Sequence, residues 1–291
     1  VVNLETTVRG LVTNFDQQVG RTLTLEGGSV AGVSNQVGTF IVQTDAQSRI
    51  VSGSDFLVGG PTSVLDGSLL IENGAVVRGG NAVVVSEGAN LIVDGELRKS
   101  INVEEGAVLQ GTGQLEGSLI MAGMLSPGSS AGTLKAKGEI NLTNTATVCI
   151  EIGGTVAGSG GFDVLDGSET SNIYLGESSL ELTLINGFLP DPSDEFVFLQ
   201  SFNSISGIFG NLGDGFGDGE RIHFSGGSFE LNVGTSSIFL SDFQAIPEPC
   251  SVLLVLGSGC VLSSKRRRLR KFGNPVGNWR SQLSARSELC R

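Results

Sequence analysis

The sequence is poor in nearly everything that site chemistry draws on. Its 291 residues hold one His (His223), one Trp (Trp279), one Tyr (Tyr174), two Met and four Cys. With a single imidazole and no Cys-x-x-Cys pair among Cys149, Cys250, Cys260 and Cys290, the ligands of a zinc site are missing. Cys250 and Cys260 fall in an apolar run and Cys290 in the C-terminal tail, so no disulfide framework is expected for the body. Proline is scarce at 7 and glycine has no three-residue period, which excludes collagen. Charged residues are only 16% and mean hydropathy is +0.18, unlike a chain too charged and too polar to fold. No G-x-S-x-G elbow or other nucleophile motif is present.

Glycine is what the chain has in excess: 44 residues, about twice the usual share. Few stretches escape it for long enough to build a long helix. Charge is unevenly spread, because Lys265 to Arg291 hold nine basic residues against Glu288, whereas residues 1–264 hold nine basic against 29 acidic. An acidic body repels nucleic acid, and none is expected as a partner; a short basic tail beside an apolar run suits a membrane surface. Val1 to Gly20 lack a basic start followed by an apolar core, so the secretory leader is read as already removed, or the chain as a fragment.

Between about Thr62 and Leu134 one phrase recurs: Glu72-Asn73-Gly74-Ala75-Val76-Val77, Ser86-Glu87-Gly88-Ala89-Asn90-Leu91, and Glu104-Glu105-Gly106-Ala107-Val108-Leu109. Short strands thus alternate with tight turns whose Gly supplies positive φ. No such rung buries its apolar face alone, so several must stack. The pattern predicts an all-β fold, a right-handed parallel β-helix over residues 1–145; an antiparallel sandwich with similar alternation is the other architecture it allows. From residue 146 the strands lengthen. Leu180, Leu182 and Leu184 share a face, as do Phe196 and Phe198, and Phe229, Leu231 and Val233, which predicts an antiparallel, sandwich-like cap over 146–243 that hides the last edge of the helix.

After Ala245 come Ile246-Pro247-Glu248-Pro249, the apolar run Cys250 to Leu262, and Lys265-Arg266-Arg267-Arg268-Leu269-Arg270-Lys271. The run is shorter than the roughly 20 residues of an ordinary spanning helix, yet suits a tilted or transient anchor across residues 250–264. The basic cluster Lys265, Arg266, Arg267 and Arg268 would hold its end in the cytoplasm and leave the body outside.

That order of parts resembles the PEP-CTERM sorting signal of Gram-negative bacteria that make extracellular polysaccharide. The resemblance covers about Ile246 to Lys271, within a sorting region of residues 244–271. It implies that an exosortase, a membrane cysteine transpeptidase-like enzyme, recognises Pro247, Glu248 and Pro249 and cleaves nearby. The family usually ends soon after its Arg cluster, whereas here residues 272–291 continue as a basic tail expected to be disordered. Residues 62–243 are similar to autotransporter-type β-strand repeat proteins in Gly113-Gln114-Leu115-Glu116-Gly117, in Leu125-Ser126-Pro127-Gly128 and in Leu180 to Phe188. That likeness implies a surface-displayed β-solenoid.

The expected protein is therefore non-enzymatic and without cofactor: an exported structural or adhesion protein of the cell surface or extracellular matrix, meeting exosortase, membrane and extracellular polysaccharide. The alternative is a secreted carbohydrate-active β-helix enzyme, a polysaccharide lyase or hydrolase, which needs paired carboxylates or a base in a groove. Against it stand few bases (Arg78, Arg98, Lys99, Lys135, Lys137) and only Tyr174 and Trp279 as sugar platforms. One acidic loop offers a calcium candidate in Asp214, Asp218 and Glu220, but the spacing fits neither the EF-hand loop nor the nonapeptide repeat of β-rolls, and no metal is expected. His223 is read as a solvated side chain and Cys149 as a small hydrophobe filling the edge of the core.

Overall fold

The computed structural model describes residues 5–9, 11–13, 22–31, 35–37, 39–43, 46–169, 172–212 and 218–246. These form thirty short strands and no helix. Val1–Ala245 is one compact unit; the second, Ile246–Arg291, lies outside the described residues apart from Ile246.

The local rule is the alternation of the strand. Val83–Val85, Asn90–Val93 and Glu96–Arg98 each send apolar residues inward and the others outward, and the chain then turns and repeats. Each of the three recurring phrases is a turn closed by a backbone bond across it: Ala75, Ala89 and Ala107 donate to the carbonyls of Glu72, Ser86 and Glu104 at 2.9, 2.9 and 3.1 Å. Gly74, Gly88 and Gly106 hold φ near +80° at the third turn position, where a side chain would be strained. The following Ala is buried and starts the next rung's interior.

Strands three apart in sequence pair in parallel, so the chain coils around three long sheets of ten, nine and eleven strands. Val83 lies beside Ile101 and Ile101 beside Leu119, a coil of 18 residues, whereas Thr62 lies beside Val83, a coil of 21. This register explains the phrase spacing. Gly88 and Gly106 occupy the same corner one coil apart, while Gly74 sits at the next corner round. The interior is one continuous core from Leu23 to Phe243, largely aliphatic along the coils apart from Phe40 and Phe56 and richer in aromatic rings towards the C-terminus.

One expectation is corrected. The sequence pattern places antiparallel sheet from residue 146 onward, but Thr147–Ile152 pairs in parallel with Ser179–Leu184, Val164–Gly167 with Phe196–Ser201, and Asn172–Tyr174 with Ser204–Ser206. Among the described residues, antiparallel strand pairing, isolated bridges aside, is confined to Phe196–Ser201, Glu220–Phe224, Gly227–Val233 and Ser237–Ala245, and these extend the third sheet instead of forming a separate sandwich. The physical reason is that a period of two is common to parallel and antiparallel strands, and only the connection decides direction. Glu220–Phe224 and Gly227–Val233 are joined by a two-residue hairpin turn, Ser225-Gly226, whereas the earlier long strands are separated by a full coil. Cys149 is buried, as a small hydrophobe at the edge of the core would be, although it points outward between Thr147 and Glu151.

The end of the second sheet is blunted by a side chain. Asn211 accepts the Leu180 N–H at 2.9 Å and donates to the Leu180 carbonyl at 2.8 Å, imitating one residue of a further strand. That removes part of an open edge on which another chain would pair.

Candidate functional site

The three sheets turn different chemistry outward. On the third, the register Asp55, Val76, Glu96, Gln114, Lys135 and Asp166 runs as a column, with Leu57, Arg78 and Arg98 beside it. Neighbouring rungs are tied by charge: Arg78 meets Asp55 through two bonds of 2.6 and 2.8 Å, Arg98, paired with Glu96 of its own strand at 2.7 Å, meets Glu116 at 3.2 Å, and Lys137 bridges Glu116 and Glu169 at 3.5 and 3.3 Å. The Arg78 guanidinium holds the Asp55 carboxyl below its ordinary range, and Arg98 does the same for Glu96. These acids are locked as acceptors, which suits a stiff ladder.

A notch of about 330 Å³ is cut into the corner between the second and third sheets. Its cause is turn length. The turns Asp94-Gly95 and Thr112-Gly113 are two residues long, while the turn 72–75 above them is four. The short turns sink inward because Gly95 and Gly113 have no Cβ; one placed on Gly113 would stand 2.1 Å from the Gly95 carbonyl oxygen. In the notch, Asp94 accepts the N–H and the hydroxyl of Thr112 at 3.0 and 3.1 Å, and Gln114 reaches Glu96 at 3.3 Å.

Among the described residues two acid or base side chains are buried inside the molecule. Lys99 donates to the Thr62 hydroxyl at 3.0 Å at the corner between the third and first sheets, and burial pushes its ammonium down to about 8. Asp163 is fully enclosed. Its two oxygens accept the N–H groups of Gly132 and Glu151, each at 2.8 Å, while its own N–H donates to the Glu151 carbonyl at 2.9 Å. Burial pushes its carboxyl up to about 8, against the opposing pull of those two N–H groups. Asp163 thus satisfies backbone donors left open where the long 153–161 corner interrupts the ladder. The sequence carries no mark of either role: Lys99 is there only one of the few bases of the coil, and Asp163 sits in no motif.

Of the calcium candidates, Asp218 is spent on the backbone, accepting the Val233 N–H at 2.9 Å, and Glu220 lies in the strand Glu220–Phe224; Asp214 falls outside the described residues. Among the described residues no group of three or more His, Cys, Asp or Glu side chains is placed to hold a metal. His223 is exposed beside Arg221, whose guanidinium is held by Asp242 at 2.6 Å and by Ser228. Asp242 is drawn below its ordinary carboxyl range chiefly by that Arg221 bond. Pro247, Glu248 and Pro249, the apolar run 250–264 and the cluster Lys265, Arg266, Arg267 and Arg268 all lie outside the described residues. No helix among the described residues is long and apolar enough to cross a membrane.

Comparison with protein-family models, with curated proteins and with solved structures returned no match. The fold and its surfaces therefore carry the argument.

Proposed function

We propose that this chain is an exported structural or adhesion protein of the bacterial cell surface or extracellular matrix. Its body is a right-handed β-helix, the hand that parallel crossover connections take almost without exception. A C-terminal signal of the PEP-CTERM kind directs its sorting by an exosortase. The observation that carries the reading is a juxtaposition: a backbone-bonded coil forms one compact unit ending at Ala245, and Pro247-Glu248-Pro249, an apolar run and four consecutive basic residues follow at once. The stacked sheets support a mechanical role, since each rung is held by the next and the third face adds ion pairs across rungs. In this reading the coil presents surface and the tail decides where it goes, passing through the membrane at residues 250–264 before or instead of release.

The test is the intact mass of the protein recovered from native cells, envelope and medium separately. A mature species ending near Pro249 and found outside the cytoplasm is the expected result. A full-length species ending at Arg291 in the cytoplasm would remove both export and sorting.

A further inference from the structure

We infer that the outward face of the first sheet is a docking surface for an uncharged polysaccharide chain laid along the coil axis. The inference rests on the reading of the chain as an exported surface protein and names the polymer it meets.

The register places Ser63, Val84, Asn102, Ile120, Asn141 and Tyr174 in one column, each beside the next on successive rungs. None of them carries a charge at neutral pH. Ile120 and Tyr174 stand 51% and 39% exposed, while their strand neighbours Leu119, Met121 and Ile173 are buried. Asn141 is also exposed, and Asn102 partly so. The column alternates an amide or hydroxyl with an apolar or aromatic side chain. That is the pairing a sugar ring requires, with hydroxyls that exchange hydrogen bonds and a C–H face that packs on apolar surface. Rungs repeat about every 4.8 Å, so like groups recur along the axis at a spacing set by the backbone.

Charge selects the occupant. The third face of the coil is a ladder of ion pairs, while the first face carries none in this column. Its border towards the second sheet is acidic: Asp66, Glu87, Glu104 and Glu105 are exposed at that corner. An anionic polymer approaching the face meets this row and is repelled, whereas an uncharged one is not. Area argues against a second copy of the chain. Ten strands span roughly 43 Å, and three-residue strands about 10 Å, so the face offers on the order of 400 Å², about half of what each partner of a stable complex buries. A polymer has no such threshold, because contacts accumulate along its length.

The experiment is retention of the full chain on uncharged polymers (cellulose, starch and dextran) and on alginate, a carboxylated one. It is run with wild type, Tyr174→Ala, Ile120→Glu and, on the third face, Arg98→Ala. The expected result is retention on at least one uncharged polymer, weakened on the order of tenfold by each first-face variant and unchanged by Arg98→Ala, at constant thermal midpoint. Retention on alginate alone, retention on none, or retention insensitive to Ile120→Glu would each overturn the inference. So would a dimer in sedimentation velocity that Ile120→Glu dissociates, which would give the face to a second copy. None of these outcomes touches export and sorting, which the mass of the native species tests separately.

Discussion

The stacked coils and the antiparallel end fill their interiors with different side chains. In the coils, Val64, Val85, Val103, Met121 and Leu142 stand in register on successive rungs, all essentially unexposed. At the end the interior is aromatic: Phe229 lies 5.6, 5.7 and 5.0 Å from Phe196, Phe224 and Phe243, and Phe196 is 5.3 Å from Phe162. Most rungs of the coil take an aliphatic residue at each interior position, with Phe40 and Phe56 the large rings near its start. The end has no next rung to cover it, and large rings supply that cover from fewer positions. Repetition therefore makes a core that tolerates exchange among aliphatics, while termination makes one that depends on particular rings.

The sharpest break of this contrast is Phe229→Ala against Met121→Leu. Removing the fully buried ring is expected to cost about 3–5 kcal/mol. The volume-conserving change inside the coil should cost less than about 1.5 kcal/mol. Urea unfolding of both variants measures this, and equal losses would mean that the end is no more dependent on particular side chains than the coil.

Backbone crowding comes next. At Gly113 an added Cβ would press on the Gly95 carbonyl oxygen at 2.1 Å, whereas at Gly80 it meets nothing within 4 Å. Gly113→Ala should destabilise by roughly 1–3 kcal/mol, and Gly80→Ala should be neutral or stabilise by up to about 1 kcal/mol through the unfolded chain. Thermal midpoints of the two decide it. A tolerated Gly113→Ala would show that the short corner can move outward, and the notch beside it would then not be fixed by the absence of a side chain.

Much of the coil was legible in the sequence, and the reason it was incompletely legible is physical. The phrase ending in Gly-Ala marks a corner wherever it occurs, because the turn needs positive φ and the interior needs a small residue. Three corners per coil look alike, so the phrase shows that the chain coils without showing which sheet follows. The same ambiguity hid the strand direction after residue 146, since Leu180, Leu182 and Leu184 alternate identically in either pairing. Local pattern also leaves out what packs over an outward position: Cys149 shares its strand face with Thr147 and Glu151 and is nonetheless buried. Asp163 was illegible for a similar reason: its partners, Gly132 and Glu151, are 31 and 12 residues away. The sorting residues lie outside the described structure, so that part of the reading stands on sequence order alone.

The two buried ionisable groups divide between the regions, and they set opposite pH dependences. Asp163, next to Phe162 of the aromatic end, has its carboxyl raised from 3.8 to about 8 by burial. The folded state thus holds a proton that the unfolded state has released, and its contribution is fully present below pH 4 and lost as pH rises towards 8. Lys99, in the coil, has its ammonium lowered from 10.5 to about 8 by burial. Its contribution is present above pH 10.5 and lost as pH falls through 8. Urea midpoints across pH 4–10.5 should therefore decline to about pH 8 and recover above it, as far as these two groups are concerned. Asp163→Asn should flatten the lower limb and Lys99→Met the upper one; a lower limb unchanged by Asp163→Asn would refute the assignment.

The smallest effect is expected outside, on the same strands. Arg78 and Asp55 make two short bonds, yet their side chains remain 38% and 32% exposed, so water competes for both charges. Arg78→Ala should cost less than about 1 kcal/mol, and added salt should erase most of that. The comparison with Met121→Leu is informative because both changes fall in the coil, one on its surface and one within. If Arg78→Ala instead costs more than about 2 kcal/mol and salt does not reduce it, the ladder through Arg98, Glu116 and Lys137 acts as a unit. The charged face would then share with the interior the work of holding rung to rung, and the coil would be stapled from both sides of its third sheet.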